Sequence, residues 1–225
     1  GERLWVVAVL FVFHAVFWAL FEQAGGSLTL FTDRNVDRVV GGAEIPASVF
    51  QSFNPLFIIL LAPVFSWFWI RLRKRGAEPS TPMKFVLGLT QLGLGFAVIV
   101  LGARLFAVDG QVPVIFLALM YLLHTTGELS LSPVGLSMIT KLSPAKIVGF
   151  VMGAWFLSIA LANSFAGLIG QLAATDNLPD DASPLDTLQL YSSTYLTWGV
   201  LVVLGAAGVL LLLVPILRRW MNGIH

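Results

Sequence analysis

Residues 112–138 read VPVIFLALMYLLHTTGELSLSPVGLSM, and this stretch decides the fold. It holds one charged side chain, Glu128, over a length that exceeds the roughly 20 apolar residues needed to cross the hydrocarbon core of a bilayer as an α-helix. The alternation of a barrel strand is absent from it. Where water is missing, a helix satisfies its own backbone hydrogen bonds, so a membrane helix is expected. Five further stretches read the same way: Leu4 to about Leu30, Ser52 to Ile70, Phe85 to Leu105, Ile147 to Ala173 and Tyr195 to Leu217. The expected fold class is all-α, a polytopic membrane protein whose residues 1–225 form one bundle of six transmembrane helices.

Composition agrees with that reading. The 225 residues are 57% hydrophobic and 11% charged, with a mean hydropathy of +0.88. A soluble domain carries about 45–50% apolar and about 25% charged residues, so a cytosolic domain, a disordered chain and a nucleic-acid binder are excluded. With no cysteine, there is no disulfide framework, no thiolate metal site and no cysteine nucleophile. The chain starts at Gly1 and shows no signal-peptide pattern, so it reads as a piece of a larger membrane protein.

The basic residues give an orientation. Arg3, Arg71, Arg73, Lys74, Arg75, Lys84, Lys141, Lys146, Arg218 and Arg219 fall at one end of the expected helices. Only Arg34, Arg38 and Arg104 fall at the other, together with most of the acids. Lysine and arginine mark the cytoplasmic side of a membrane protein. Both termini are therefore expected in the cytoplasm, and the protein in the cell (inner) membrane. The segment from Ala174 to Thr187, with Asp176, Asp180, Asp181 and two prolines, reads as an acidic loop on the opposite side.

Two acids remain inside the apolar stretches, Glu22 and Glu128. An ionised side chain at that depth costs several kcal/mol unless it meets water or a partner, and intramembrane acids mark functional positions. Side chains four apart share a helix face, which puts His124, Glu128, Ser132 and Leu136 on one stripe, with Pro133 beside it freeing a backbone carbonyl. His124 reads either as a proton relay to Glu128 or as a hydrogen-bonded packing residue, and His14 as structural. Asn54, just inside the second stretch, needs a partner from another helix or from a ligand. Gly25 and Gly26 interrupt the first stretch directly after Glu22 and Gln23, and a discontinuous helix with polar side chains at its break points to a binding site in transporters. Gly149 and Gly153 are expected to permit close helix contact. An enzyme reading fails because no serine has a histidine base at helical spacing and no paired metal ligands occur.

The run Phe17-Trp18-Ala19-Leu20-Phe21-Glu22-Gln23, continuing to Asn35, resembles the seventh helix of the proton-dependent oligopeptide transporters. Gln51 to Phe57 resembles the eighth, Gly127-Glu128-Leu129-Ser130-Leu131-Ser132-Pro133-Val134-Gly135-Leu136 with Thr140-Lys141-Leu142 the tenth, and Gly149 to Phe156 the start of the eleventh. The resemblance implies the carboxy-terminal half of a twelve-helix major facilitator protein that imports di- and tripeptides with protons by alternating access. It implies further that Asn54 and Glu128 hold the peptide amino terminus and that Trp18, Ser132 and Trp155 line the side-chain pockets. Glu22 would pair with an arginine of the amino-terminal half and couple protonation to gating, with Leu136 at a gate. The implied partners are peptide, protons, the bilayer and that other half; no cofactor, metal or nucleic acid is implied. A major facilitator carrier of another small solute is the competing expectation.

Overall fold

The computed structural model describes residues 2–174, 178 and 182–221. Six helical spans in it are long and apolar enough to cross a membrane. The first is broken: α1 (Glu2–Phe21) ends in a 3₁₀ turn at Glu22–Gly25, and α2 (Ser27–Asn35) resumes beyond Gly26. The second enters through a 3₁₀ turn at Ala47–Ser52 and continues as α3 (Phe53–Lys74), followed by α4 (Thr81–Leu105), α5 (Val114–Leu142) and α6 (Val148–Leu172). The sixth is α7 (Pro184–Thr194), a π-helical stretch over Tyr195–Val202 and α8 (Val203–Trp220). The acidic-loop expectation is corrected at its end, where the helix starts at Pro184. Ser183 caps it, accepting from the Asp186 amide at 3.3 Å while the Asp186 carboxylate accepts from the Ser183 amide at 2.9 Å. Asp176, Asp180 and Asp181 lie outside the described residues.

α4 is the centre of the bundle. Leu89, Leu92, Phe96 and Ile99 are fully buried on it, and it packs along α5 and α8, while α1 packs on α6. The α4–α5 contact is close because neither helix carries a side chain at the crossing. A Cβ at Gly127 would lie 2.8 Å from the Gly88 carbonyl oxygen, so neither position admits a methyl group without prying the helices apart. The expected close contacts at Gly149 and Gly153 are not made among the described residues: none of them lies within 4 Å of a Cβ at either. α3 has no buried residue and joins the bundle mainly through α5. Its apolar surface, like Phe150, Phe156 and Leu161 of α6, is exposed.

Short main-chain pairings tie one end of the bundle together. Val36–Asp37 (β1) pairs in parallel with Val112–Pro113 (β4), and Val39–Val40 (β2) pairs with Ala43–Glu44 (β3). Asn35, fully buried, donates its amide to the carbonyls of Gly110 (2.9 Å) and Pro184 (2.8 Å) and accepts from the Thr187 hydroxyl (3.0 Å). Gly110 is at φ +79°, and a Cβ there would strike Pro184, so only glycine fits that joint.

The basic residues gather at the opposite end. One cavity of about 460 Å³ is lined by Arg73, Lys84 and Lys141, and a neighbouring one of about 320 Å³ by Arg73, Lys84 and Arg218. Glu78 bridges them, taking Arg73 Nε at 2.6 Å and Lys84 Nζ at 2.5 Å. The Arg73 guanidinium above all, with the Lys84 ammonium, holds the Glu78 carboxyl down to about 2. A carboxyl depressed by folding adds stability above its ordinary value near 4.5 and loses it as pH falls toward 2. Glu78→Gln is thus expected to lower Tm at neutral pH, with the deficit against wild type shrinking below about pH 4.5. A pH-independent deficit in a thermal scan would contradict this.

Candidate functional site

The break in the first span places Glu22. Gly25 closes the 3₁₀ turn that follows α1 and Gly26 separates it from α2, and the hinge is held by side chains rather than by a continuous ladder. Gln23 is buried and donates its amide to the carbonyls of Ala19 (3.2 Å) and Ala166 (2.9 Å); its oxygen accepts from Ser27 (2.6 Å). Ser27 in turn accepts from the Tyr195 hydroxyl at 3.2 Å. This chain of bonds links the π-helical stretch of the last span through the break to α6. Glu22 is left half-buried on the wall of an open cavity of about 480 Å³ that it shares with Gly25, Gly26, Asn163 and Gln171.

Asn54 and Glu128 come together across α3 and α5. The Asn54 amide donates to Glu128 Oε2 at 2.9 Å and to Thr125 Oγ1 at 3.1 Å. Thr125 directs its own proton to the Tyr121 carbonyl (2.8 Å), which leaves its lone pairs free to accept. The costly amide and the costly acid thus satisfy each other, with Thr125 orienting the pair. The second carboxylate oxygen of Glu128 has no hydrogen-bond partner among the described residues, and the side chain is only half-buried. Among the same residues neither Glu22 nor Glu128 has an ion-pair partner. Such an arrangement can receive a cationic group.

The remaining candidates divide. Ser132 and Leu136 are half-buried one and two turns beyond Glu128, on the same stripe of α5, which runs unbroken past Pro133. Trp18 is half-buried on α1. Trp155 is not a cavity-lining ring in this conformation: it is 3% exposed, stacked on His14 at 3.7 Å, with its far edge against Gly135. His124 does not belong to the open end of the stripe. Its ring is fully enclosed, pressed on Gly95 and 4.7 Å from Phe96, and its Nε2 has no partner among the described residues. Of its two readings, packing is the one this geometry supports. Thr125 and Ser27 escape a sequence reading because a lone hydroxyl in a helix carries no signal of what it will face.

Comparison with known proteins places the chain. The model of the POT family matches residues 2–182. Peptide transporter YePEPT of Yersinia enterocolitica is 43% identical over 222 residues, covering 98% of this chain and 41% of that protein. Dipeptide and tripeptide permease B of Shigella dysenteriae is 36% identical, covering 97% of this chain and 44% of the permease. Among solved structures, a mutant of the peptide transporter POT in complex with alafosfalin superimposes with a TM-score of 0.82 at 37% identity, covering 98% of this chain and 42% of that one. The chain therefore spans less than half the length of the proteins it matches, and these relatives are transporters, not enzymes.

Proposed function

The chain belongs to the POT family, and from that membership we propose that it is the carboxy-terminal half of a secondary carrier importing di- and tripeptides with protons by alternating access. The observation that carries the proposal is the Glu128 carboxylate, steadied on one oxygen by Asn54 and open on the other, with no ion-pair partner among the described residues. A peptide zwitterion presents an ammonium to such a group and a carboxylate to cations. The Lys and Arg of this chain lie toward the ends of its spans, so those cations come from the amino-terminal half. Peptide then bridges two bundles and draws them together, and a ligand that binds the closed arrangement better shifts the population toward it.

In this reading Asn54 and Glu128 hold the peptide amino terminus, Trp18 and Ser132 border side-chain pockets, and Leu136 narrows the exit. Trp155 acts from behind. Glu22, at the hinge and open to its own cavity, takes the proton and releases a cation of the other half when it does so. The basic end of the bundle faces the cytoplasm of the inner membrane, with both ends of this segment there. The test is uptake of labelled dialanine into proteoliposomes holding the full-length protein. Saturable uptake that collapses with a protonophore is expected. Saturable uptake of another small solute with none of dialanine would move the protein to a different cargo.

A further inference from the structure

His14 fell outside every functional reading of the sequence, yet its surroundings fix its chemistry. The Trp18 indole N–H donates to His14 Nε2 at 2.8 Å, so that nitrogen must accept, and the ring proton sits on Nδ1. Nδ1–H then donates to Ser158 Oγ at 2.9 Å, whose own proton goes to the Trp155 carbonyl at 2.7 Å. The same imidazole, 1% exposed, stacks on the Trp155 ring at 3.7 Å and 29°. Each ring nitrogen has one partner, Ser158 Oγ accepts one bond and donates another, and each bond has one direction, so the network is satisfied only with a neutral histidine in one tautomer.

The reach of this network is what gives it a role. It fastens α1 to α6 through Ser158, and Trp155 extends from there to α5. A Cβ on Gly135 would lie 2.7 Å from the Trp155 ring, so the indole fills the notch beside Leu136. Trp18, the half-buried ring of the pair, is held on its N–H by His14 and meets the Phe17 and Phe21 rings in T-shaped contacts at 5.8 and 5.1 Å. Cut from His14, it would lose its one hydrogen bond and be free to rotate.

We propose that His14 is the positioning residue for Trp18 and Trp155 and thereby sets how bulky a substrate side chain the cavity admits. The proposal rests on the peptide-carrier reading, and its test separates the two. His14→Asn places an amide N–H near Nδ1, keeping Ser158 and losing Trp18; His14→Gln places an amide oxygen near Nε2, keeping Trp18. In the full-length protein, the ratio of KM for alanyl-phenylalanine to KM for dialanine should shift about fivefold in His14→Asn, the worth of one hydrogen bond, while kcat holds. In His14→Gln the ratio should return toward wild type. The tryptophan near-UV circular dichroism of His14→Asn should lose the band that Trp18→Phe also loses. A ratio unmoved in both variants, or a fall in kcat alone in both, overturns the selectivity role. If the wild type carries neither peptide, the carrier reading fails while the spectral comparison still decides whether His14 fixes Trp18. Should His14→Asn not fold, Ser158→Ala frees the other side of the ring and must shift the same ratio.

Discussion

Glu22→Gln in the full-length protein is expected to abolish concentrative peptide uptake while leaving exchange of peptide for peptide across the membrane. One pH unit is worth about 1.4 kcal/mol per proton, so an inward gradient of two units supports about 100-fold accumulation for each proton carried. A glutamine has the shape of the protonated acid and cannot release the proton, so the variant should equilibrate labelled dialanine to the same concentration on both sides. The location of Glu22 makes the effect specific. It sits where α1 gives way to the 3₁₀ turn, half-buried, on a cavity of about 480 Å³, and without an ion-pair partner in the described chain. The hinge itself is held by Gln23 and Ser27, which the substitution does not touch. Counterflow needs the hinge and the peptide site but no proton cycle, so it should persist. Unchanged proton dependence of uptake in Glu22→Gln would remove this residue from the coupling step.

Which parts of this were legible in the sequence follows from what lipid and protein have in common. Both are apolar, so hydropathy finds the spans but not the face each turns inward. Gly149 and Gly153 show the loss: the spacing suits close packing, and the helix is rotated so that both face away from the other described residues. The contacts fall instead at Gly88 and Gly127, where no pattern distinguishes them from other small residues. The start of the last helix was within reach, since Ser183 and Asp186 carry the capping-box spacing, but the prolines and acids before it outweigh that signal in a reading by composition. Polar groups in the spans were the opposite case. Glu22, Asn54 and Glu128 stand out because each is costly alone, and the hinge was visible as two adjacent glycines. Their pairing was not visible, because the Asn54–Glu128 bond spans 74 residues and the Asn35 clamp as many as 152.

Glu128→Gln is expected to weaken dipeptide binding by about 1.5–3 kcal/mol, the range for a hydrogen bond to a charged group, or roughly 10- to 150-fold in Kd. The substitution is close to isosteric. A glutamine oxygen can still accept from the Asn54 amide that now reaches Oε2 at 2.9 Å, and Thr125 still orients that amide at 3.1 Å. What changes is the other position, where an acceptor oxygen becomes an N–H₂ that faces the peptide ammonium donor to donor. The loss should therefore depend on the ammonium and on nothing else in the ligand. N-acetylated dialanine, which lacks it, should bind the two proteins with the same affinity, however weakly. Titration calorimetry with both ligands separates the outcomes. Equal affinity for free dialanine would take Glu128 out of the peptide site. An equal loss for the acetylated ligand would mean that the carboxylate shapes α3 and α5 without touching the amino terminus.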